Sequence, residues 1–562
     1  MSMPQDASQN LAPGLQTVKY KTILPMGKVG NYIQNERLEF IIPPDIAYFD
    51  GKQSYLNIVI RNQSTCETNE FPYPACFPPH IGAHAIVNRL QIQDMKGAEL
   101  ENLEAYNQYS GIMNSYCNDS DVFGTLSRVE GIAAHNPRRN NCNFSDVKVN
   151  YFTDVGVTDG VGNLTGGGDN KTTTFCLPIM SGLFSYWAGE HMAYPNLDIG
   201  GTKMTFYLEE FRNSLQSLSH EFYNNFDLNG SAIPSRSAVI IGQPCGGASS
   251  SVTEFIIDEC NTNATVDGVT YDVAQSGFVV GQRIETEGDT GGAEATITKV
   301  EGGQGDNNDR IRITYDPARG ADDATTIKVL QNSEGFKWII DKVELKVLET
   351  IPEANTLRAI RASMTRGINY TTYQVNKLST ASQLRNAVLN IPTSLTRGLS
   401  IFCVPVDIDK IGQDGENNSY LYPRMDSSYT NNNNNYSYIW QVRNILIPNR
   451  QLALTTTVNA PSDNVTFYNQ QVMALRPMRP VKCLGEPFYD SSREKEELEN
   501  PFFFPILLAP LGNSYDLLDS DPQLRIENSS TTPANITSKL YFIYQNHVRR
   551  LIANDSGVQV DI

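Results

Sequence analysis

Short runs in which apolar and polar residues alternate constrain this 562-residue chain more than any other feature. The clearest is DKVELKVL at 341–348, where Val343, Leu345 and Val347 alternate with charged residues. Similar runs recur along the chain, for example LNIVI at 56–60 and LYFIY at 540–544. A period of two places every second side chain on the same face of a strand. The pattern therefore predicts an all-β protein built of antiparallel sandwiches or barrels.

Helical signals are scarce by comparison. The best short helix candidate is ELENLEAYNQY at 99–109, with Leu100 and Leu103 on one side. The run SREKEELEN at 492–500 predicts one or two exposed helical turns. The 27 Tyr and 23 Phe residues add to the preference for strands.

Charge and cysteine usage exclude several classes of protein. With 44 Lys and Arg against 62 Asp and Glu, the net charge of -18 argues against a protein that coats nucleic acid. The nine Cys are dispersed without a CxxC pair, as expected of free thiols in a reducing compartment. The N-terminus has no signal-peptide pattern, and the apolar stretch PFFFPILLAPL at 501–511 is too short and proline-rich to span a membrane. We therefore expect a protein made inside a cell, with no transmembrane segment.

Residues 258–335 differ in composition from the rest of the chain. They contain 15 acidic and 6 basic residues, a net charge of -9, and are rich in Gly. Strand-like runs such as EATITKV and RIRITYD nevertheless lie within them. We interpret 258–335 as a small acidic β domain inserted in a surface loop, between the strands FIID at 255–258 and FKWIIDKVEL at 336–345. A disordered acidic loop is the alternative.

Three weak matches suggest an internal duplication. FCLPI at 175–179 is similar to FFFPI at 502–506, and VNRLQIQ at 87–93 is similar to VRNILIP at 442–448. Each half also ends in a strongly patterned strand, KVELKVL in the first and KLYFIY in the second. Two similar β modules would then join near residues 351–369.

The sequence offers little catalytic chemistry. Cys66, Cys76, His80 and His84 could supply zinc ligands, but the surrounding prolines prevent a helix from aligning the two histidines. There is no Gly-x-Ser-x-Gly elbow, and the six His form no triad pattern. We therefore predict no enzymatic activity and assign no catalytic, cofactor-binding or metal-binding residues.

Three stretches resemble a known family of viral proteins. They are IGAHAIVNRLQIQDMKGAELENLEAYNQY at 81–109, FCLPIMSGLFSYWAGEHMAYPNLDIGGTKMTFYLEE at 175–210 and LRIENSSTTPANITSKLYFIYQNHVRRLIANDSGVQVDI at 524–562. In order and spacing they are similar to double jelly-roll major capsid proteins, most closely those of polinton-like viruses and virophages. Residues 258–335 have no counterpart in the common pattern.

The resemblance implies two tandem eight-stranded antiparallel jelly rolls with a small inserted β domain. We place a flexible N-terminal tail at 1–34, the first jelly roll at 35–350, the insert at 258–335 on the outer surface, and the second jelly roll at 365–562. The resemblance further implies a homotrimer of pseudo-hexameric outline that tiles an icosahedral shell around double-stranded DNA. The expected partners are neighbouring capsomers, penton and minor capsid proteins, and a host surface through the insert, without specific nucleic-acid binding. Such a protein belongs to the virion and is assembled inside the host cell.

Two other functions fit the same β pattern. A carbohydrate-binding β-sandwich could use Trp187, Trp338 and Trp440 as platforms for sugar rings, although core packing also explains each. A receptor-binding fibre protein is suggested by the Gly-rich acidic segment. A capsid protein should form trimers or shell-like particles alone, whereas a lectin should bind glycans as a discrete oligomer.

Overall fold

The structure is a computed structural model of the chain. It describes residues 15–63, 75–77, 81–117, 129–132, 157–158, 163–165, 172–186, 193–217, 238–239, 252–257, 265–266, 269–270, 283–287, 295–304, 310–319, 326–330, 337–380, 386–406, 436–454, 463–478, 503–508, 515–518, 520–528, 540–554 and 557–561.

Among the described residues, sixteen principal strands form two successive units. The first unit contains β1 Leu15–Ile23, β2 Arg37–Ile42, β3 Phe49–Asn62, β4 Val87–Asp94, β5 Glu99–Leu103, β6 Thr172–Pro178, β7 Thr202–Leu208 and β8 Trp338–Pro352. The second unit contains β9 Ile368–Ser379, β10 Asn386–Asn390, β11 Gly398–Val406, β12 Tyr436–Val442, β13 Ile445–Leu454, β14 Phe504–Leu507, β15 Gln523–Asn528 and β16 Leu540–Asn554.

Both units have the same strand order. The sheets are β1-β8-β3-β6 and β2-β7-β4-β5 in the first unit, and β9-β16-β11-β14 and β10-β15-β12-β13 in the second. This antiparallel order is that of a jelly roll, so the predicted tandem jelly rolls are confirmed. One further short strand extends one sheet of each unit: Ala193–Tyr194 pairs with β3, and Gly557–Asp561 pairs with β16.

The described helices are few and lie in the connections. They are α1 Tyr106–Cys117, α2 Asn196–Ile199, α3 Phe211–Ser214, α4 Ala354–Arg366, α5 Asn464–Leu475 and a 3₁₀ turn at Gly82–Ile86. The helix α4 joins the two jelly rolls within the predicted junction at 351–369. No helix in these described parts combines the length and apolar character needed to cross a bilayer.

In β8 the alternating apolar and charged residues lie on opposite faces of the strand, as predicted. Val343 and Leu345 are buried opposite Ile58 and Leu56 of β3. The intervening Glu344 lies on the other face, where its carboxylate is 2.8 Å from the ammonium groups of two flanking lysines. Those two hydrogen bonds lower the pKa of Glu344 to about 2.

The predicted N-terminal tail at 1–34 is wrong over part of its length. Residues 15–23 form the edge strand β1, which pairs with β8 from Leu15 opposite Pro352 to Ile23 opposite Leu345. The side chains of Lys19 and Tyr20 are exposed. An edge strand held mainly by backbone hydrogen bonds needs little apolar alternation, and its sequence therefore resembled a tail.

The helix predicted at 99–109 is also wrong in its first half. Residues 99–103 form β5, which pairs with β4, and the helix α1 begins only at Tyr106. Ala105, with a φ of 46°, separates the two elements. The helical spacing of Leu100 and Leu103 was therefore misleading. The predicted helical turns at 492–500 lie outside the described residues.

The acidic segment contributes its strands to a separate sheet. This sheet contains four strands of the segment: Arg283–Glu287, Ala295–Gln304, Arg310–Arg319 and Thr326–Leu330. Four strands from outside the segment also belong to it: Val157–Thr158, Asn163–Thr165, Ala238–Val239 and Val252–Ile257. Within the segment, Thr265–Val266 pairs separately with Val269–Thr270. FIID was expected to belong to the first jelly roll. Instead Val252–Ile257 pairs with Arg310–Arg319, since the backbone partners of this run lie within the acidic segment.

Two of the three internal matches join equivalent strands. FCLPI lies on β6 and FFFPI on β14, the sixth strand of each jelly roll, and KVELKVL and KLYFIY lie on the eighth strands. The third match is not equivalent, because VNRLQIQ lies on β4 whereas VRNILIP spans the turn between β12 and β13.

Candidate assembly site at the junction of the two jelly rolls

The central strands β11 and β16 of one sheet of the second jelly roll are buried on both faces. In β11, GLSIFCVPV, all nine residues are buried. Ile401 and Cys403 pack in the core of the second jelly roll, whereas Phe402 and Val404 pack with residues of the first. A strand covered on both faces is apolar throughout rather than alternating. The sheet β9-β16-β11-β14 is therefore shared by two hydrophobic cores.

The helix α1 of the first jelly roll supplies an aromatic side chain to this sheet. The ring of Tyr109 is stacked on Tyr373 of β9, with centroids 3.8 Å apart and planes 18° from parallel. Tyr544 and Phe402 lie next to it, at 5.4 and 5.9 Å. Further along α1, Tyr116 packs edge-on against Phe503 at 5.5 Å. Stacked aromatic groups of this kind add stabilisation beyond their buried area.

Buried polar groups fix the position of α1 on the sheet. The hydroxyl of Tyr109 donates to Oδ1 of Asn546 at 3.1 Å, and Nδ2 of Asn546 donates to the Ser400 hydroxyl at 2.9 Å. Ser400 in turn donates to the carbonyl of Ala474 at 2.6 Å. The chain of hydrogen bonds thus runs from the first jelly roll to the end of α5 in the second.

A fully buried carboxylate, Glu101 of β5, lies at the same junction. It accepts hydrogen bonds from the Thr372 hydroxyl of β9 at 2.6 Å, from the Gly182 N–H at 3.1 Å and from the Ser181 hydroxyl. Burial raises the pKa of Glu101, and the bonds from Ser181 and Thr372 oppose that rise. Glu101 therefore links strands of both jelly rolls through paired polar groups.

Gly182 is required by the close approach of the two units. A Cβ at this position would collide with the carbonyl oxygen of Thr371 in β9. Nearby, the Tyr370 hydroxyl donates to the carbonyl of Leu100. The backbone of the 179–186 connection thus lies directly against β9.

His547 of β16 is buried in its neutral form. Its Nδ1 donates to the carbonyl of Gln545 at 3.0 Å, and Nε2 has no partner among the described residues. Burial lowers the pKa of His547 to about 4, and Arg549 adds to the effect.

The candidate zinc ligands are only partly described. Cys66 and His80 lie outside the described residues, and Cys76 lies on the short strand Ala75–Cys76. The imidazole Nε2 of His84 lies 2.9 Å from Oε2 of Glu130, and both side chains are buried. Within the described ranges no three His, Cys, Asp or Glu side chains are grouped as metal ligands.

Two of the three tryptophans considered as sugar platforms are inaccessible. Trp338 and Trp440 are fully buried, and the indole N–H of Trp338 donates to the Ser214 hydroxyl at 2.8 Å. Trp187 lies outside the described residues. Neither buried indole can stack on a sugar.

The chain matches no family model and no curated protein. Among solved structures it is similar to the Faustovirus major capsid protein, with 8% identity, a TM-score of 0.47, and coverage of 97% of this chain and 91% of that chain. It is similar to PBCV-1 VP54 fitted into a reconstruction of the virophage Sputnik, with 9% identity, a TM-score of 0.45 and coverage of 98% and 96%. It is also similar to the mavirus major capsid protein, with 8% identity, a TM-score of 0.43, and coverage of 100% of this chain and 95% of that chain. Because these identities and scores are low, we base the function on this chain's own strand order and contacts.

Removing the aromatic ring of Tyr109 should lower the stability of the folded chain. We expect Tyr109→Ala to lower the free energy of unfolding by about 3–5 kcal/mol, because it removes a buried ring from a packed interface. Tyr109→Phe should cost about 1–2 kcal/mol, because Oδ1 of Asn546 loses its donor. Tyr20→Ala, which removes an aromatic ring that is 45% exposed, is the control and should cost less than about 1 kcal/mol. Urea unfolding measures all three, and equal effects for Tyr109→Ala and Tyr20→Ala would contradict the assignment.

The buried His547 should make stability depend on pH. The unfolded chain protonates this imidazole below its ordinary pKa of 6.5, whereas the folded chain does so only near 4. Stability is therefore present above about pH 6.5 and is lost as the pH falls toward 4, by up to about 3 kcal/mol. His547→Gln should flatten this part of the profile, measured as urea midpoints between pH 7 and pH 4. The raised pKa of Glu101 changes stability with pH in the opposite direction. The contribution of His547 is therefore taken as the difference between the profiles of the variant and the parent chain. An unchanged slope would show that the pKa of His547 is the same in the folded and unfolded chains and would contradict the prediction.

Proposed function

We propose that this chain is a major capsid protein that trimerises and tiles an icosahedral shell around a double-stranded DNA genome. The observation that carries the proposal is the repetition of one jelly-roll strand order in a single chain, with both units held to a common doubly buried sheet. Three such chains present six similar sandwiches, which suits a building block with a pseudo-hexagonal outline.

The distribution of hydrogen-bonding edges supports this role. A jelly roll folds its strands into two facing sheets, and all-β proteins use this architecture to manage their exposed edges. A protein present in many copies at high concentration needs that protection against fibre formation. The rigid junction built from Tyr109 and Glu101 would keep two sandwiches of one chain in a constant relation.

The proposed role in a capsid shell determines which partners the chain is expected to contact. They are two further copies in the trimer, neighbouring capsomers, and penton and minor capsid proteins. The protein would belong to the virion and be assembled inside the host cell. The proposal assigns it no catalytic activity and no specific nucleic-acid recognition.

We place the acidic insert on the outer surface of the trimer. A net charge of -9 in residues 258–335 would repel its symmetry copies, so burial at a shell interface would be costly. Its sheet is separate from the four sheets of the jelly rolls. A host surface is the expected contact of such a domain.

The purified chain should be trimeric. Light scattering should give a mass three times the 62.4 kDa of the chain, and negative-stain microscopy should show pseudo-hexagonal or shell-like particles. The expected subunit contacts are large and apolar, of about 2,000 Å² or more. A monomer at every concentration would contradict the proposal, and binding to a glycan array by a discrete oligomer would favour a lectin.

Removing the insert should leave assembly intact. We expect a short Gly-Ser linker in place of residues 252–335 to preserve trimers and particles and to reduce attachment to host cells. A matched deletion of 258–335 additionally leaves the six-residue strand Val252–Ile257 without its partner Arg310–Arg319 and should reduce solubility relative to the longer deletion. Loss of the trimer in the 252–335 deletion would make this segment part of the structural core.

A further inference from the structure

Arginines converge at the end of the second jelly roll where the helix α4 meets β9. The side chain of Arg550 crosses Gly367, and its guanidinium donates to the carbonyl of Arg366. On the adjacent connection, Nη1 of Arg397 lies 3.5 Å from Oδ1 of Asn369, which is the cross-strand neighbour of Arg550. We call Arg366, Arg397 and Arg550 the arginine cluster.

The backbone at Gly367 makes this convergence possible. Gly367 has a φ of 96° and ends the helix α4, with its N–H bonded to the carbonyl of Ser363 at 2.7 Å. A Cβ here would collide with the Arg550 side chain. The helix end and the strand end are therefore brought as close as a glycine allows.

The arginine cluster has no carboxylate partner within the described part of the chain. Four exposed arginines elsewhere in the described ranges do have such a partner: Arg37 with Glu39 at 2.9 Å, Arg212 with Glu210 at 3.0 Å, Arg361 with Asp198 at 3.4 Å, and Arg450 with Asp463 at 2.5 Å. Asp561 lies opposite Arg550 in the strand ladder, but no ion pair joins the two. The guanidinium of Arg550 thus lies against the backbone of Arg366, and that of Arg397 reaches Asn369 opposite Arg550, in a chain whose net charge is -18.

The surrounding sequence is free of acidic residues. From Ala354 to Val406 the chain contains no Asp or Glu, and β16 contains none either. Arg366 is exposed and Arg397 and Arg550 are half-buried, so the guanidiniums are open to a ligand. The local charge is therefore positive although the chain as a whole is acidic.

The arginine cluster and the acidic insert lie at opposite ends of the jelly rolls. Successive strands run in opposite directions in this fold, so successive connections leave at alternate ends. The insert lies between β7 and β8, so it leaves the first jelly roll at the end where β8 begins. The arginine cluster lies at the other end, where β8 ends, α4 crosses and β9 begins.

We infer that the arginine cluster binds the phosphates of duplex DNA on the inner face of the shell. This inference rests on the proposed function, since an outward insert turns the opposite end toward the genome. Guanidinium groups bind phosphate through paired, charge-assisted hydrogen bonds, and three of them fit a backbone contact that reads no base sequence. A local contact of this kind is compatible with an otherwise acidic and repellent surface.

The test measures binding of the full chain to labelled duplex DNA of about 30 bp, between about 50 and 200 mM salt. The triple variant R366Q/R397Q/R550Q should bind at least about tenfold more weakly at low salt. Its plot of log affinity against log salt should be less steep by about 2.7, or about 0.9 for each lost phosphate contact. The matched control R37Q/R212Q/R450Q removes the same charge from arginines that already have carboxylate partners, and should leave the slope unchanged.

Several outcomes would overturn the inference. They are absence of DNA binding by the parent chain, equal losses in the two triple variants, and cluster-dependent binding to phosphatidylserine vesicles or to poly-glutamate without binding to DNA. If R550Q fails to fold, the double variant R366Q/R397Q should still lower the slope by about 1.8. Trimers and particles are scored separately, so a failure of the capsid proposal appears in assembly and not in the salt slope.

Discussion

The structure depends on one sheet whose central strands are buried on both faces. In β11 and β16 of this sheet, adjacent residues face different cores, as Ile401 and Phe402 do in β11 and Ile543 and Tyr544 do in β16. Neither jelly roll can therefore move relative to the other without exposing apolar surface. At roughly 25 cal/mol per Å² of apolar area, even partial separation would cost several kcal/mol. This constraint makes two modules behave as one rigid building block.

Polar groups at the junction add orientation to this apolar contact. Hydrophobic packing alone is non-directional and tolerates sliding. A buried carboxylate such as Glu101 is tolerated only where its hydrogen bonds are satisfied, and its donors Ser181 and Thr372 come from different jelly rolls. A shift of either unit would deprive that buried carboxylate of its donor Thr372. The polar contacts thus select one arrangement among those that bury similar area.

The sequence predicted the repeated strands well and the edges poorly. Strands with one buried face, such as β3 and β8, were predicted from their alternation, and the two Phe-x-x-Pro-Ile motifs correctly matched the sixth strands. The edge strand β1 was missed because backbone pairing with β8 holds it, and backbone bonds leave no side-chain pattern. The junction was missed as well, although the continuous apolar run GLSIFCVPV was a usable signal for a strand covered on both faces. The contact of Tyr109 with Tyr373 joins residues far apart in the chain, and no local pattern indicates such a pair.

The distribution of charge in the chain follows from the same architecture. Successive connections of a jelly roll leave at alternate ends, so an acidic insert after β7 and a basic linker after β8 are separated by the length of the strands. Opposite charges close together would neutralise each other, whereas charges at the two ends of strands as long as β8 are largely screened from one another by salt. Each end can then keep its own electrostatic character. A molecule with one acidic and one basic end can present different surfaces to its two sides without any change in its core.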